Sequence, residues 1–209
     1  YNSKNIGEIG GEEVDILYCA GTPGTKWYAN KYPNRDRGSI ETLTRNLHTA
    51  TFTKLVLIST IGIYEDAQAA DENEPIKVND LSPYGRHRHL LEQHVQENFD
   101  SLIVRLPSLF GNGLKKNFIY DAIRNDYDYA PHPSSCMQFY NVENLAKDIK
   151  IALNAKIPSL NISSEPIELS RVYSGAFGLS VLPSSSTSVV RYDMRTKHSG
   201  IWGNRKNYK

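Results

Sequence analysis

The sequence predicts an α/β fold built on a doubly wound parallel sheet, and three observations carry that expectation. Runs rich in apolar residues occur at Val14–Cys19, Leu55–Ile58 and Leu102–Arg105, as strands buried on both faces require. Segments with helical spacing alternate with them. Gly21, Thr60 and Ser108 fall just after these strands, at the carboxyl ends where parallel sheets take their ligands.

Taken in order, Val14–Cys19 reads as a strand ending at Ala20-Gly21. Ile40, Leu43 and Leu47 recur at helical spacing, so a helix leads to the second strand, Leu55–Ile58. The acidic, polar stretch 65–80 reads as a loop over that strand's carboxyl end. Ser82-Pro83 opens a helix, because serine caps the first turn and proline suits the first helical position. Leu91, Val95 and Phe99 carry its apolar stripe. A third strand follows at 102–105, then a helix over 117–125. Leu145, Ile149 and Leu153 line another helix, Leu160–Ser163 is a short fourth strand, and 168–177 form a last helix ending at Gly178. The tail, with Pro183 and its run of serines, reads as loop. Strands alternating with helices imply right-handed βαβ units.

Composition narrows the function. A chain of 209 residues with 39% hydrophobic and 22% charged residues suits a globular protein with a substantial core. A formal net charge of +1 argues against a general nucleic-acid binder. No apolar run approaches the roughly 20 residues of a membrane helix. The opening residues are polar, so no secretory signal is expected. Cys19 and Cys136 stand far apart without metal-ligand spacing, which predicts a reduced, cytoplasmic setting and no metal.

The richest chemistry lies in Tyr84-Gly-Arg-His-Arg88. Tyr84 and Arg88 are spaced i,i+4 and project from one helix face. A cation held beside a phenol favours phenolate and lowers its pKa from about 10. Such a phenol exchanges a proton with a substrate hydroxyl or carbonyl near neutral pH. A hydroxyl at the preceding strand end, Thr60 or Ser59, is placed to hold the same oxygen. His87 and His89 read as surface residues, since no acidic partner has metal spacing. Tyr127, Tyr129 and Tyr140 read as packing or rim residues.

Several segments, in order, resemble the extended short-chain dehydrogenase/reductase family. They are Tyr18-Cys-Ala-Gly21, Ser59-Thr-Ile-Gly-Ile-Tyr64, the Tyr84-x-x-x-Arg88 step, Arg105-Leu-Pro-Ser-Leu-Phe-Gly111 and Phe139-Tyr-Asn-Val-Glu-Asn-Leu145. That family includes NAD-dependent nucleotide-sugar epimerases, dehydratases and reductases. The resemblance implies a Rossmann-like sheet over 1–110 and 137–158, and a smaller C-terminal substrate lobe over 111–136 and 159–209. It implies NAD or NADP as cofactor, passed by Ala20, Gly21, Ser59, Tyr84, Arg88 and Pro107. Tyr84, Thr60 and Arg88 take the catalytic positions, while Thr60, Ser108, Lys115 and Asn117 take substrate positions. A nucleotide sugar is the implied substrate, and the helix from Ser82 to Phe99 is a dimer interface in relatives.

Four features depart from the family pattern. Arg88 replaces the family's lysine; arginine keeps the charge and the donors but cannot give up a proton. Ile61 and Gly62 stand where dehydratases carry two proton-transferring carboxylates, which disfavours water elimination. The stretch 34–38 corresponds to an asparagine-containing turn that supports the site in relatives. The glycine-rich turn that cradles a pyrophosphate is not found; Gly7–Gly11 lacks a preceding strand and reads as a surface turn. The first βα unit is therefore expected upstream of Tyr1, its strand lying beside Val14–Cys19. The two expected functions are an NAD(P)-dependent epimerase or reductase, and a catalytically weak or inactive nucleotide-binding protein of the same fold.

Overall fold

A computed structural model describes residues 1–64, 68–114, 117–124, 126, 130–179, 188–203 and 208. In chain order the elements begin with β1 (Glu13–Cys19), α1 (Lys26–Lys31), α2 (Pro33–Leu47), β2 (Thr51–Thr60), α3 (Pro83–Asn98) and β3 (Ser101–Leu106). There follow β4 (Ser108–Phe110), α4 (Phe118–Ile123), β5 (Cys136–Met137), β6 (Phe139–Asn141) and α5 (Leu145–Asn154). The chain closes with β7 (Ser159–Asn161), β8 (Ile167–Glu168) and α6 (Leu169–Phe177). The glycine-bearing stretch ahead of β1 is a 3-10 turn, Ile6–Ile9, as a surface turn would be.

Two compact units emerge. The first comprises residues 1–65, 75–105 and 157–160. Its sheet has the order β1-β2-β3-β7, with β1 parallel to β2 in a register that pairs Glu13 with Thr51 and Cys19 with Leu57. Helices α2 and α3 are the crossovers on either side of β2. Their apolar stripes meet the sheet in one cluster of Cys19, Ile40, Leu43, Leu47, Leu55, Leu57, Leu91, Val95 and Ile103. Consecutive residues Leu55, Val56 and Leu57 are all buried, so β2 is covered on both faces, as a doubly wound sheet demands. At the sheet's edge Val14, Ile16 and Tyr18 of β1 are exposed, giving that strand an apolar rim.

The second unit comprises residues 66–74, 106–156 and 161–209. Here β4 pairs in parallel with β6, and β5 antiparallel with β8. Leu169 and Tyr173 of α6 pack with Ala130 against Phe118, Met137 and Phe139. Tyr140 is buried, as a packing residue would be, and its hydroxyl donates to Asp148, which also accepts from Trp202 Nε1 at 2.9 Å. The predicted helix at 117–125 is observed over the shorter span of α4. Tyr127, Tyr129 and the serine run after Pro183 lie outside the described residues. No helix among the described residues is long and apolar enough to cross a membrane, and no cluster of metal-ligating residues occurs among them.

Where α2 ends against α3, His48 Nε2 and His94 Nε2 lie 2.9 Å apart beside Phe99. Burial, and then the His48 ring, hold the His94 pKa below its ordinary value, while Glu97 opposes them. Burial likewise lowers His89, with Glu92 opposing and Arg105 adding to the effect. At these two residues the folded state therefore binds fewer protons than the unfolded chain. The stability linked to these residues is complete above the unfolded histidine pKa of about 6.5 and is lost as pH falls through the depressed folded values. The urea midpoint is expected to drop on acidification from about pH 7.5 to about pH 5, and His94→Gln to shrink that drop. A variant whose midpoint falls as steeply as the parent's would refute the assignment.

Candidate active site

The site forms in the first unit, where β2 ends and α3 begins. Residues Ile61–Ile63 make a 3-10 turn after β2, and Thr60 caps it, its Oγ1 accepting from Gly62 N–H at 3.0 Å. Helix α3 starts at Pro83, with Ser82 Oγ accepting from Gly85 N–H at 3.5 Å. The two elements meet backbone to backbone. A Cβ at Gly85 would overlap the carbonyl oxygen of Gly62. A Cβ at Gly62 would in turn lie 3.2 Å from Tyr84 Cε1 and 3.3 Å from Thr60 Oγ1. The Tyr84 ring and the Thr60 hydroxyl thus flank the same glycine.

Tyr84 is 9% exposed. Its backbone N–H donates to Asn30 Oδ1 at 3.0 Å, which ties the first turn of α3 to α1. Its hydroxyl takes no hydrogen bond among the described residues. The charge of Arg88 reaches the phenol through the ring: the guanidinium carbon lies 4.2 Å from the Tyr84 ring centroid, a cation–π contact. Arg88 itself is buried. Its Nη1 donates to Asp36 Oδ2 and its Nη2 to the Pro23 carbonyl, while Nε is buried without an acceptor. The same Asp36 oxygen receives His87 Nδ1 at 2.7 Å.

One turn further along α3, Glu92 forms a second buried network. Arg105 Nε and Nη2 donate to its carboxylate at 2.8–3.2 Å, and Arg105 Nη1 donates to Tyr64 Oη at 2.7 Å. Ser59 Oγ donates to Glu92 Oε1. Of the two strand-end hydroxyls, Ser59 is therefore engaged below the site, and Thr60 is the one beside the Tyr84 ring.

The remaining expected residues divide between the units. Ala20 and Gly21 lie exposed at the carboxyl end of β1. Pro107 is buried, Ser108 opens β4, and Asn117 caps α4, its Oδ1 accepting from Tyr120 N–H at 2.9 Å and its Nδ2 donating to Leu109 O at 2.6 Å. Lys115 lies outside the described residues. His87, read as a surface residue, is instead buried, because Asp36 holds its ring nitrogen. Sequence reasoning missed Asn30, Asp36, Gly85 and Glu92. Asp36 continues the Ile40/Leu43/Leu47 stripe one turn back, and a carboxylate on a buried stripe demands a partner.

The model of the NAD dependent epimerase/dehydratase family matches residues 7–136. The chain belongs to this family. Among solved structures it resembles a double mutant of DesIV, a dTDP-glucose 4,6-dehydratase from Streptomyces venezuelae with NAD and DAU bound. The identity is 15%, with 92% of this chain and 67% of that one covered at a TM-score of 0.72. UDP-glucose 4-epimerase from Thermotoga maritima with UDP-glucose aligns at 12% identity, 92% and 72% coverage and a TM-score of 0.67. RMD from Pseudomonas aeruginosa complexed with NADPH aligns at 16% identity, 99% and 78% coverage and a TM-score of 0.70. No curated protein matches the chain by sequence.

Because α3 touches the Gly62 backbone, Gly85→Ala is expected to be among the most damaging small substitutions in this unit. It should cost about 1–3 kcal/mol as an overpacked contact and move Tyr84 away from Thr60. Urea unfolding measures the first effect. A variant as stable as the parent would contradict the close approach.

Proposed function

We propose that the protein is an NAD(P)-dependent epimerase or reductase acting on a hydroxyl or carbonyl of a nucleotide-linked sugar. The observation that carries this reading is Tyr84: its ring is nearly buried, flanks Gly62 together with the Thr60 hydroxyl and has a guanidinium over its face, while its own hydroxyl takes no hydrogen bond among the described residues. Family membership supports the reaction class, and similar folds bind UDP-glucose, NAD or NADPH.

The residues present fit a nicotinamide cofactor: Tyr84 keeps a hydroxyl for it, and the exposed backbone at Ala20-Gly21 lies at a strand's carboxyl end. The cofactor would supply the hydride chemistry. Tyr84 would exchange the proton with the substrate oxygen, and Thr60 Oγ1 would hold that oxygen while it also caps the turn. Arg88 would act on Tyr84 through the ring face. Ile61 is buried and Gly62 has no side chain, so neither transfers a proton, and water elimination is disfavoured.

A second reading, a nucleotide-binding protein with weak or no turnover, is favoured by one observation. Both terminal nitrogens of Arg88 are engaged by Asp36 and Pro23.

Mass analysis and fluorescence of the purified full-length protein are expected to reveal bound NAD or NADP, and incubation with UDP- or dTDP-sugars, with NAD(P)H added where a keto-sugar is to be reduced, to give epimerised or reduced product. Tyr84→Phe is expected to lower kcat by roughly 10²–10⁴-fold while nucleotide stays bound. Tight NAD retention without net reduction points to the epimerase. Binding without turnover in the parent chain selects the second reading, and absence of nucleotide binding sinks both.

A further inference from the structure

We propose that Asp36 and Arg88 form a clamp that fastens the loop 20–25 to the ring of Tyr84, which makes Asp36 a positioning residue. The proposal depends on the active-site reading only in assigning that loop to the cofactor.

Three elements converge on one guanidinium. Arg88 rises from α3, Asp36 from α2, and the Pro23 carbonyl belongs to the loop that links β1 to α1. Arg88 is 2% exposed and Asp36 3%, so the ion pair is dry. The planar fork lets each terminal nitrogen take one acceptor while the flat face lies on Tyr84. Lysine has a single nitrogen and no plane, so it cannot hold the carboxylate, the carbonyl and the ring in this arrangement.

Two details identify orientation as the purpose of the pair. Nε of Arg88 is buried without an acceptor, a cost tolerated where the two ends and the face of the group are already fixed. His87 donates to the Asp36 oxygen that Arg88 uses, which sets the carboxylate's direction from a second side. A buried ion pair is weak evidence for stability as such; replacing both partners by apolar residues of similar size is often neutral or better. The clamp therefore separates two quantities that a merely structural pair would move together: the order of the loop and the stability of the fold.

The test is 15N relaxation at the amides of Gly21, Thr22, Gly24 and Thr25, with thermal unfolding alongside. It compares the parent chain, Arg88→Lys, Asp36→Asn and the double variant Asp36→Leu/Arg88→Met. In each variant the order parameters of these loop amides are expected to fall from about 0.85 to below about 0.6, with those of β2 and β3 unchanged. The double variant should recover thermal stability relative to Asp36→Asn without recovering loop order. Loop order parameters equal to the parent's in Arg88→Lys or in the double variant would overturn the clamp. So would loop order that simply follows thermal stability, or a loop already disordered in the parent.

NAD affinity, read by nucleotide fluorescence, is expected to weaken about 10-fold in Arg88→Lys, with KM for the cofactor rising more than kcat falls. If the parent binds no NAD(P) yet its variants lose loop order, the clamp stands and the active-site reading fails. If the parent binds NAD(P) and the variants keep loop order, the reading stands and the clamp fails.

Discussion

The contact between Gly62 and Gly85 governs the geometry of this molecule's site. The first turn of α3 rests on the carbonyl of the turn that ends β2, at a spacing that leaves no room for a Cβ. A helix held at that distance carries Tyr84, the residue before Gly85, to the side of Thr60. Neither residue needs a direct bond to the other, because two backbones in contact set their separation. Interiors pack densely enough that a single methyl group at such a point is felt across the neighbouring turn. Asn30 adds a second restraint by capturing the Tyr84 N–H from α1, so the phenol is positioned from both ends of its residue.

Helix α3 is unusual in what it buries. Tyr84, Arg88 and Glu92 follow one another at intervals of four, so an inward-facing ladder of polar groups runs beside the apolar Leu91 and Val95. Buried charge persists only with partners. Each rung has its own: Asp36 and the Pro23 carbonyl for Arg88, Arg105 and Ser59 for Glu92. Arg88 and Glu92 stand four residues apart with opposite charge, yet each pairs with groups on other elements. The helix is thereby cross-linked to α2, to the loop after β1, and to β2 and β3 through polar contacts rather than through apolar packing alone. Networks of this kind specify one arrangement more strongly than an apolar face does, since a slipped register would strand several charges at once.

The strands and long helices were legible because their signals are local. The runs at 14–19, 55–58 and 102–105 name their own strands, and the Ser82-Pro83 cap names the start of α3. Most short elements were not: α1, β4, β5 and β8 have two to six residues and take their form from pairing and packing, which composition does not reveal. The nearness of Tyr84 to a hydroxyl at the end of β2 followed from the order of the chain, and the family resemblance singled out Thr60 over Ser59. The partnership of Arg88 with Asp36 spans 52 positions and depends on which face of α2 turns inward. The clue was present, since Asp36 falls on the Ile40/Leu43/Leu47 stripe, but a charge on an apolar face announces only that a partner exists. His87 misled for the same reason. It looked like a solvated residue because the carboxylate that buries it is far away in sequence.

The close approach of the two glycines also bears on the class of reaction. Elimination of water requires a group that moves a second proton near the phenol. The positions directly after Thr60 are the obvious ones, and in this chain they are Ile61 and Gly62, which carry no proton-transferring group. Ile61 turns into the core, and any side chain at Gly62 would meet the Tyr84 ring and the Thr60 hydroxyl at little over 3 Å, as the distances of 3.2 and 3.3 Å show. The residues directly after Thr60 therefore supply no second proton-transfer group in this chain. On the proposed reading, Tyr84 would be left with proton exchange at a single substrate oxygen, the demand of epimerisation or carbonyl reduction.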